Sequence, residues 1–320
     1  MLELFDVICI GAALVDMVAK VERHPLEDDE VFVSDLTLLS GGAAANTAYA
    51  CAKLGLNTAF IGKLGPHDEF GGKIIEDFKE VSLNTSLIKY SNKYGTGSAY
   101  VALNPKGDRR IYAHSGAANY LSKEDIVPAE VKRTKAIFLS SLKNTDPFIK
   151  AANIGKEQGI PVILNPGMLI IDQGLENIKQ LLESIDILIL SQREYVTLLH
   201  LKNLKLDEKL LLKASNTLLS LGIKVLVVTM GENGAFLTNG VDSAMIPPRK
   251  VKEVTDTTGA GDAFSAGFIY KFVHQLNHNF EDFKDDVLYG NLVAAKCIQK
   301  LGARNGIPSE KEFLILTEEK

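Results

Sequence analysis

The most informative segment of the chain reads Asp256-Thr257-Thr258-Gly259-Ala260-Gly261-Asp262, and residues 263–268 follow it with helical character. Small residues just before a helix expose its first backbone N–H groups, which together with the helix dipole form a site for an anion such as a phosphoryl group. Asp262, in the first turn of that helix, would face the same site and accept the proton of a hydroxyl that attacks a γ-phosphate. The alternative interpretation is a glycine-rich turn in which Asp262 only caps the helix.

Short apolar runs alternate with longer helical patterns through the rest of the chain. Near-continuous hydrophobicity predicts strands buried on both faces, at residues 7–10, 58–61, 136–139, 162–164, 185–190 and 225–229. Helical spacing, often ending near a glycine, predicts helices at residues 46–54, 68–80, 147–158 and 207–221. This alternation indicates an α/β fold in which a mostly parallel sheet lies between two layers of helices.

Two stretches, residues 19–39 and 94–114, break that alternation with period-two segments, and residues 104–107 (Asn-Pro-Lys-Gly) have the composition of a turn. We interpret both stretches as a small β-sheet inserted in a single α/β domain that spans residues 1–320. Its exposed apolar face would form a lid, a homodimer surface, or both. The longest charge-free stretch, residues 36–52, is predicted to be buried loop and helix.

The composition is that of an ordinary soluble protein: 320 residues, 46% of them hydrophobic, with 35 Lys plus Arg against 40 Asp plus Glu. Without a basic patch to attract phosphates, a nucleic-acid or membrane-surface partner is not expected, and a small molecule is the favoured partner. Cys9, Cys51 and Cys297 form no CxxC pair, so neither a disulfide framework nor a zinc site is predicted, and a reducing cytoplasm fits. No apolar run predicts a membrane segment.

The segment 256–262 resembles the carboxyl-terminal signature of the ribokinase-like, or phosphofructokinase B, family of sugar and nucleoside kinases. A second signature of that family is similar to Gly41-Gly42-Ala43-Ala44-Ala45-Asn46, followed by residues 54–55, 61–65 and 68–71. The resemblance covers essentially the whole chain and implies a ribokinase-like, three-layer α/β fold with a small β lid. It also implies transfer of the γ-phosphoryl group of MgATP to a sugar hydroxyl, with Asp262 as general base and Gly259, Ala260 and Gly261 as the anion hole.

The resemblance further implies that Asp16, just after the first strand, binds the sugar together with Gly42 and Asn46. A carboxylate accepts hydrogen bonds from two neighbouring hydroxyls, glycine lets the backbone approach the ring, and asparagine both donates and accepts. Taken alone, Asp16 could equally cap the end of a strand, and Asn46 could simply cap a helix.

For the nucleotide, residues 229–234, with Thr229 and Gly231, look like the family's turn at the ribose and phosphates, and Asn291 is similar in position to an Asn beside the adenine. Glu194 matches the glutamate of the NxxE motif that organises Mg²⁺, whereas Ser191 replaces the motif's Asn, so a water is expected to fill the gap. Glu194 could also be only the first-turn acid of a helix. Some relatives bind a monovalent cation at the positions of Asp256 and Thr258, which makes K⁺ a further candidate.

Within the family, residues 114–119 and 121–122 are most similar to ribokinase. Two features differ from it: Ala43 stands where ribokinase has Lys, and residues 138–142 lack its glutamate. The acceptor is therefore left open, with a nucleoside kinase and a non-catalytic sugar-binding protein as alternatives. Arg109 or Arg110 could add positive charge over the site, although solvation at the surface is the simpler expectation.

Three competing patterns fail on their residues. Residues 11–16 lack two glycines of GxGxxG, which argues against an oxidoreductase, and no Lys after a glycine is followed by the Ser or Thr of a Walker A loop. His274 and His278 share a helical face but lack the glutamate of a zinc site.

Overall fold

The computed structural model describes residues 4–201, 207–275 and 278–318. In chain order its strands are β1 (Phe5–Gly11), β2 (Leu14–Val21), β3 (Val33–Gly41), β4 (Thr58–Ile61), β5 (Lys63–Leu64), β6 (Lys89–Tyr90), β7 (Thr96–Leu103), β8 (Arg109–Gly116), β9 (Thr134–Ser140), β10 (Val162–Asn165), β11 (Ile187–Ser191), β12 (Val225–Thr229), β13 (Ala235–Thr238) and β14 (Ser243–Ile246).

The α-helices are α1 (Ala43–Lys53), α2 (Glu69–Glu80), α3 (Pro128–Val131), α4 (Asp146–Gln158), α5 (Met168–Ile171), α6 (Leu175–Leu182), α7 (Gln192–Leu198), α8 (Glu208–Leu219), α9 (Ala260–Val273), α10 (Phe280–Cys297) and α11 (Glu310–Glu318). Short 3₁₀ helices cover Ala117–Tyr120, Lys123–Asp125 and Gly231–Asn233.

The main sheet has eight strands in the order β14-β13-β12-β11-β10-β9-β1-β4. The six from β12 to β4 pair in parallel, and β13 and β14 add an antiparallel edge. The carboxyl ends of the parallel strands therefore meet at one edge of the sheet, which is where ligands bind in open α/β sheets.

Two hydrophobic clusters, one on each face of the sheet, confirm the predicted three layers. Cys9 and Phe138 belong to the cluster that includes α1, α2, α9, α10 and α11, whereas Ile8 and Leu139 belong to the cluster that includes α4, α6 and α8. Adjacent strand residues point to opposite faces, so each buried strand contributes to both clusters, and this explains why the strands read as continuous apolar runs.

The predicted strands of the main sheet are present, with ends that differ by at most two residues. For example, β11 begins at Ile187 rather than at residue 185 and ends at Ser191. The predicted helices correspond to α1, α2, α4 and α8, and α1 begins three residues earlier than expected because Gly42, not Ala45, precedes its first turn.

A second sheet of four strands, in the order β3-β2-β7-β8, packs against α2 and is called the small sheet below. The turn predicted at residues 104–107 joins β7 to β8, where the Gly107 N–H donates to Asn104 O over 3.0 Å. The strands differ from the stretches 19–39 and 94–114, since β2 begins at Leu14, β3 begins only at Val33, and β8 continues to Gly116.

One prediction in this region is wrong. Residues 36–41 are not buried loop but the second half of β3, and Leu36 and Leu38 are exposed on it. Residues 33–38 are all exposed, because this half of β3 is an edge strand that is open on both faces and not a buried segment. None of the described helices has the length and apolar character needed to cross a membrane.

Candidate active site

The glycine-rich segment leads into the first turn of α9, as predicted. Gly259 precedes the helix with φ of 76°, and a Cβ at this position would lie 2.6 Å from Ala303 Cα. Glycine adopts this left-handed conformation without strain, and the close approach of the Ala303 backbone leaves no space for a side chain. The helix consequently starts at Ala260, with Asp262 in its first turn.

The first N–H groups of α9 face an open space. Ala260 N–H donates to Thr257 O over 3.2 Å, whereas within the described part of the chain the N–H groups of Gly261 and Asp262 have no protein acceptor. A Cβ built on Gly261 would meet no atom within 4 Å. Unpaired N–H groups at a helix start, beside empty space, are what an anion requires.

The Asp262 carboxylate is held from one side. Asn46 Nδ2 donates to Asp262 Oδ2 over 2.9 Å, and Thr47 Oγ1 donates to its backbone oxygen over 3.3 Å. The pKa of Asp262 is raised to about 7, mainly by burial and in smaller part by the nearby Glu194 carboxylate, although the Asn46 hydrogen bond and the charge of Arg304 oppose the rise. A carboxyl group with a pKa near neutrality exchanges protons readily at physiological pH.

Arg304, which no motif in the sequence indicates, completes this arrangement. Its Nε donates to Asn46 Oδ1 over 2.9 Å, and its guanidinium lies over the rings of Tyr49 and Phe78, at 4.9 and 5.6 Å from their centroids. The residue is only 8% exposed, and burial lowers its pKa to about 10. Neither its spacing nor its neighbours Ala303 and Asn305 distinguish it in the sequence from a surface arginine.

The sequence predicts that Asp16 follows the first strand, but Asp16 lies within β2 of the small sheet. It is paired with Leu39 and Ala99 across that sheet. Burial raises the pKa of Asp16, and the charge of Arg304 opposes the rise, which places Asp16 near the same arginine as Asp262. Gly41 lies directly beside it, and a Cβ there would displace the Asp16 carboxylate.

Gly42 makes the turn between β3 and α1. Its φ is 95°, its carbonyl accepts from Asn46 N–H over 2.8 Å, and a Cβ would collide with the Ala12 carbonyl. Gly42 thus brings the backbone close to the end of β1 and starts the helix that carries Asn46.

Ser191 and Glu194 form a capping box at the start of α7. Ser191 N–H donates to Glu194 Oε2 over 2.7 Å, and Glu194 N–H donates to Ser191 Oγ over 3.3 Å. Glu194 is 8% exposed, and burial raises its pKa while the Ser191 groups lower it. The first-turn acid predicted as an alternative role is therefore present, and the same carboxylate lies close enough to Asp262 to affect its pKa.

Mg²⁺ takes oxygen ligands, keeps several waters, and usually needs one or two carboxylates together with substrate phosphates. The buried Glu194 carboxylate fits that donor set. Among the described residues, no group of three or more His, Cys, Asp or Glu side chains could hold a metal by protein ligands alone. A Mg²⁺ here would thus depend on the phosphates of a nucleotide for most of its inner ligands.

Asp256 is tied into the loop before α9. Its Oδ1 accepts from Thr258 N–H and Oγ1, and its Oδ2 accepts from Gly302 N–H, over 2.7 to 3.0 Å. These bonds hold the pKa of Asp256 below its usual range despite burial. Arg109 Nη1 of β8 also donates to Thr258 Oγ1, over 3.4 Å, so the small sheet touches this loop.

Thr229 and Ser191 are neighbours at the carboxyl ends of β12 and β11, and the two residues are partners in the sheet register. Gly231, with φ of 58°, starts the 3₁₀ turn that follows. Asn291 stands apart from this pair, on α10, where its Nδ2 donates to Pro247 O over 2.9 Å.

The comparison with known families agrees with this geometry: the model for pfkB family carbohydrate kinases matches residues 4–310. The chain belongs to the pfkB family of carbohydrate kinases. Its relatives in this family include a ribokinase of Staphylococcus aureus, 32% identical over 309 residues that cover 96% of this chain and 97% of that protein. The pfkB chain is therefore a kinase that transfers phosphate to an alcohol group of a carbohydrate.

Solved structures show the same ribokinase-like fold. Ribokinase of Arabidopsis thaliana, complexed with ribose and ATP, superposes with a TM-score of 0.87 at 28% identity over 98% of each chain. The nucleoside kinase of Methanocaldococcus jannaschii, at 22% identity and a TM-score of 0.78 over 99% of each chain, shares the fold. The pfkB fold thus carries both sugar and nucleoside kinases.

Proposed function

We propose that this chain transfers the γ-phosphoryl group of MgATP to a hydroxyl of a small, ribose-like sugar, with Asp262 as the general base. The observation that carries the proposal is the placement of Asp262. It lies in the first turn of α9, beside unpaired helix N–H groups, with one carboxylate oxygen held by Asn46 and its pKa raised to about 7.

In this proposal Asp262 Oδ1 accepts the proton of the sugar hydroxyl as its oxygen attacks the γ-phosphorus. A base with a pKa near 7 combines a substantial deprotonated fraction with adequate basicity, which is worth about 10²- to 10⁴-fold in rate. The N–H groups of Gly259, Gly261 and Asp262 would stabilise the charge on the transferring group, because they are fixed before the reaction begins. The Ala260 N–H, the remaining member of the predicted anion hole, already donates to Thr257 O.

Asp16, Gly42 and Asn46 would hold the sugar. Asp16 lies on the small sheet and Asn46 on α1, and both lie near Arg304. A sugar between the two would expose its acceptor hydroxyl to Asp262, and Gly42 would allow the backbone to approach the ring.

For the nucleotide, we assign Thr229, Gly231, Ser191 and Asn291. Ser191 and Thr229 end β11 and β12, Gly231 lies just beyond β12, and Asn291 is on α10. Glu194 would hold the waters of Mg²⁺, which when bound neutralises phosphate charge. For K⁺ we assign the loop of Asp256 and Thr258, which the hydrogen bonds of Asp256 already shape.

We assign the small sheet two roles. The face that carries Asp16 would cover the sugar and exclude water, and the opposite face would join two copies of the chain. That opposite face exposes Leu36, Leu38 and Tyr112, an apolar surface that a homodimer would bury. We place the single-domain enzyme in the cytoplasm, since Cys9, Cys51 and Cys297 are all free thiols.

The test is ADP release with MgATP across ribose, fructose, 2-keto-3-deoxygluconate, glycerol-type polyols and several nucleosides, with and without K⁺, and with Asp262→Ala as the blank. A strong sugar acceptor whose turnover disappears in Asp262→Ala supports the proposal. Preference for a nucleoside would replace the sugar by that class of acceptor. Retention of most turnover in Asp262→Ala would refute the assigned base, and silence with detectable ATP binding would indicate a non-catalytic sugar-binding protein or an acceptor outside the panel.

A further inference from the structure

Arg304 is a buried cation whose hydrogen bonds are incomplete. Its side chain is 9% exposed, and only Nε has a hydrogen-bond partner, Asn46 Oδ1. Within the described residues, Nη1 and Nη2 make no hydrogen bond, although Nη1 lies 3.5 Å from Asp77 Oδ2. Burial of a guanidinium is costly unless it is compensated, so its retention beside Asn46 calls for a role other than stability.

The bond between Arg304 and Asn46 fixes which way the Asn46 amide points. Arginine has only donors, so the atom that faces its Nε must be the amide oxygen. The amide nitrogen then faces Asp262 Oδ2, which as a carboxylate oxygen can only accept. A flipped amide would place two donors together at Arg304 and two acceptors together at Asp262, so both contacts would be lost at once.

We propose that Arg304 is a positioning residue for Asp262 and acts through Asn46. By fixing the amide, Arg304 holds Asp262 Oδ2 as an acceptor from Asn46 and leaves Oδ1 directed to the substrate hydroxyl. This inference rests on the proposed role of Asp262 as general base. It adds a residue that neither signature of the sequence contains.

The charges around Arg304 and Asp262 determine the direction in which the pKa of Asp262 moves when Arg304 is replaced. Asp262 is affected by Arg304 from the carboxyl-terminal segment and by Glu194 from α7. Its own charge adds to the burial that raises the pKa of Cys297 on α10. Arg304 is in turn faced by Asp77 from α2, Tyr49 from α1, and Asp16 from β2. Among these groups, Arg304 lowers the pKa of Asp262 and Glu194 raises it, so loss of Arg304 raises the pKa of Asp262 by removing its charge and by freeing the Asn46 amide.

The first measurement follows the Asp262 carboxyl directly by ¹³C NMR titration of the full chain, assigned by its absence in Asp262→Asn. In Arg304→Gln the titration moves to higher pH. In Arg304→Lys it also moves, but less, because lysine keeps the charge and loses the planar Nε–H contact. The matched control is Asp77→Asn, which removes the carboxylate on the other side of Arg304 and leaves the titration of Asp262 in place.

The second measurement is the pH profile of kcat/KM. In Arg304→Gln the acid limb moves to higher pH, and the ratio of activity at pH 6 to that at pH 9 falls by roughly three- to tenfold. A structural role alone would lower activity equally at every pH. The changes in Arg304→Gln and Asn46→Ala are not additive in the double variant if Arg304 acts through Asn46.

An unmoved Asp262 titration in both Arg304 variants overturns the inference, as does an additive double variant. The melting curve of Arg304→Gln shows whether that variant folds. If it does not fold, the titration is measured in Arg304→Lys instead. If Asp262→Asn retains turnover, the proposed base is wrong, yet the titration still decides whether Arg304 positions this carboxyl. The two failures are therefore distinct.

Discussion

Asn46 Nδ2 donates to Asp262 Oδ2 over 2.9 Å, although the two residues are 216 positions apart in the chain. Asn46 ends the amino-terminal glycine-rich motif, and Asp262 ends the carboxyl-terminal one. The contact is direct because α1 and α9 lie in the same helical layer and pack against each other. The two motifs that the sequence shows separately thus form one site at the carboxyl edge of the main sheet.

We expect Asp262→Asn to lower kcat by about 10²- to 10⁴-fold while ATP still binds, because the amide cannot accept a proton. In the wild type, kcat/KM falls as pH decreases through the Asp262 pKa of about 7, since the protonated carboxyl cannot act as a base. The residual activity of the variant lacks this acid limb. Steady-state kinetics of the wild type and the variant from pH 5.5 to 9 check the loss of kcat and the loss of the acid limb. An unchanged acid limb in the variant would show that another group causes the acid limb.

Gly261→Ala separates catalysis from folding. A Cβ at Gly261 meets no protein atom within 4 Å, and alanine is the better helix residue by up to about 1 kcal/mol. The variant is therefore expected to melt at or above the wild-type temperature, yet to lose at least about tenfold in kcat because its methyl group occupies the anion space.

Gly259→Ala is the matched contrast. Gly259 has φ of 76° and lies against Ala303, so the methyl group strains the backbone and clashes with it. Its melting temperature is expected to fall along with activity. If Gly261→Ala retained full kcat, the N–H groups of this turn would not bind the transferring phosphoryl group.

The sequence predicts the main sheet well because parallel strands buried on both faces leave long apolar runs, and β12 is identified to the residue. It predicts the small sheet less well. Alternation locates the two stretches, but the Ser, Thr and Gly residues of β3 resemble loop, which is why residues 36–41 are predicted as loop. The apolar run of residues 7–15 hides the short break between β1 and β2, which is why Asp16 is predicted to follow β1 instead of lying within β2.

The sequence predicts only those site residues that belong to short motifs. Asp262 and Asn46 are found because glycine-rich turns at helix starts leave a local pattern. Arg304 is not found, since its role comes from a contact with Asn46 at a separation of 258 residues. A single arginine after Gly-Ala has no local feature that reveals its burial between Tyr49 and Phe78.

Arg109→Ala is expected to raise the KM of the sugar and lower kcat/KM by about 2- to 10-fold, the range for one partly exposed charged hydrogen bond. The side chain joins β8 to the loop of Thr258, so its loss loosens the small sheet over the site. The control is Arg110→Ala, whose Nη1 donates to Pro25 O at the tip of the small sheet. Equal effects of both variants would argue against a specific role for Arg109.

The buried carboxyl of Asp286 is expected to make the stability of the fold depend on pH, separately from catalysis. It is fully buried on α10, and within the described residues neither carboxylate oxygen has a hydrogen-bond partner. Its pKa is raised to about 8, mainly by burial and in smaller part by the charges of Asp282 and Asp285, against the opposing charge of Lys271. The folded state thus favours the protonated acid.

The sign follows from linkage. In the unfolded chain the pKa of Asp286 is near 4. Below this pH the Asp286 carboxyl is protonated in both the folded and the unfolded state, so its contribution to the free energy of unfolding is fully present. As pH rises from about 4 towards 8, the unfolded chain ionises first and the folded state loses stability, by no more than about 1.4 kcal/mol per pH unit.

Asp286→Asn cannot ionise, so it is expected to raise the melting temperature at pH 8 more than at pH 5. Asp285→Asn, half-exposed on the same helix, is the control with a small effect at both pH values, and an equal gain for Asp286→Asn at pH 5 and 8 would show that its ionisation is not the cause.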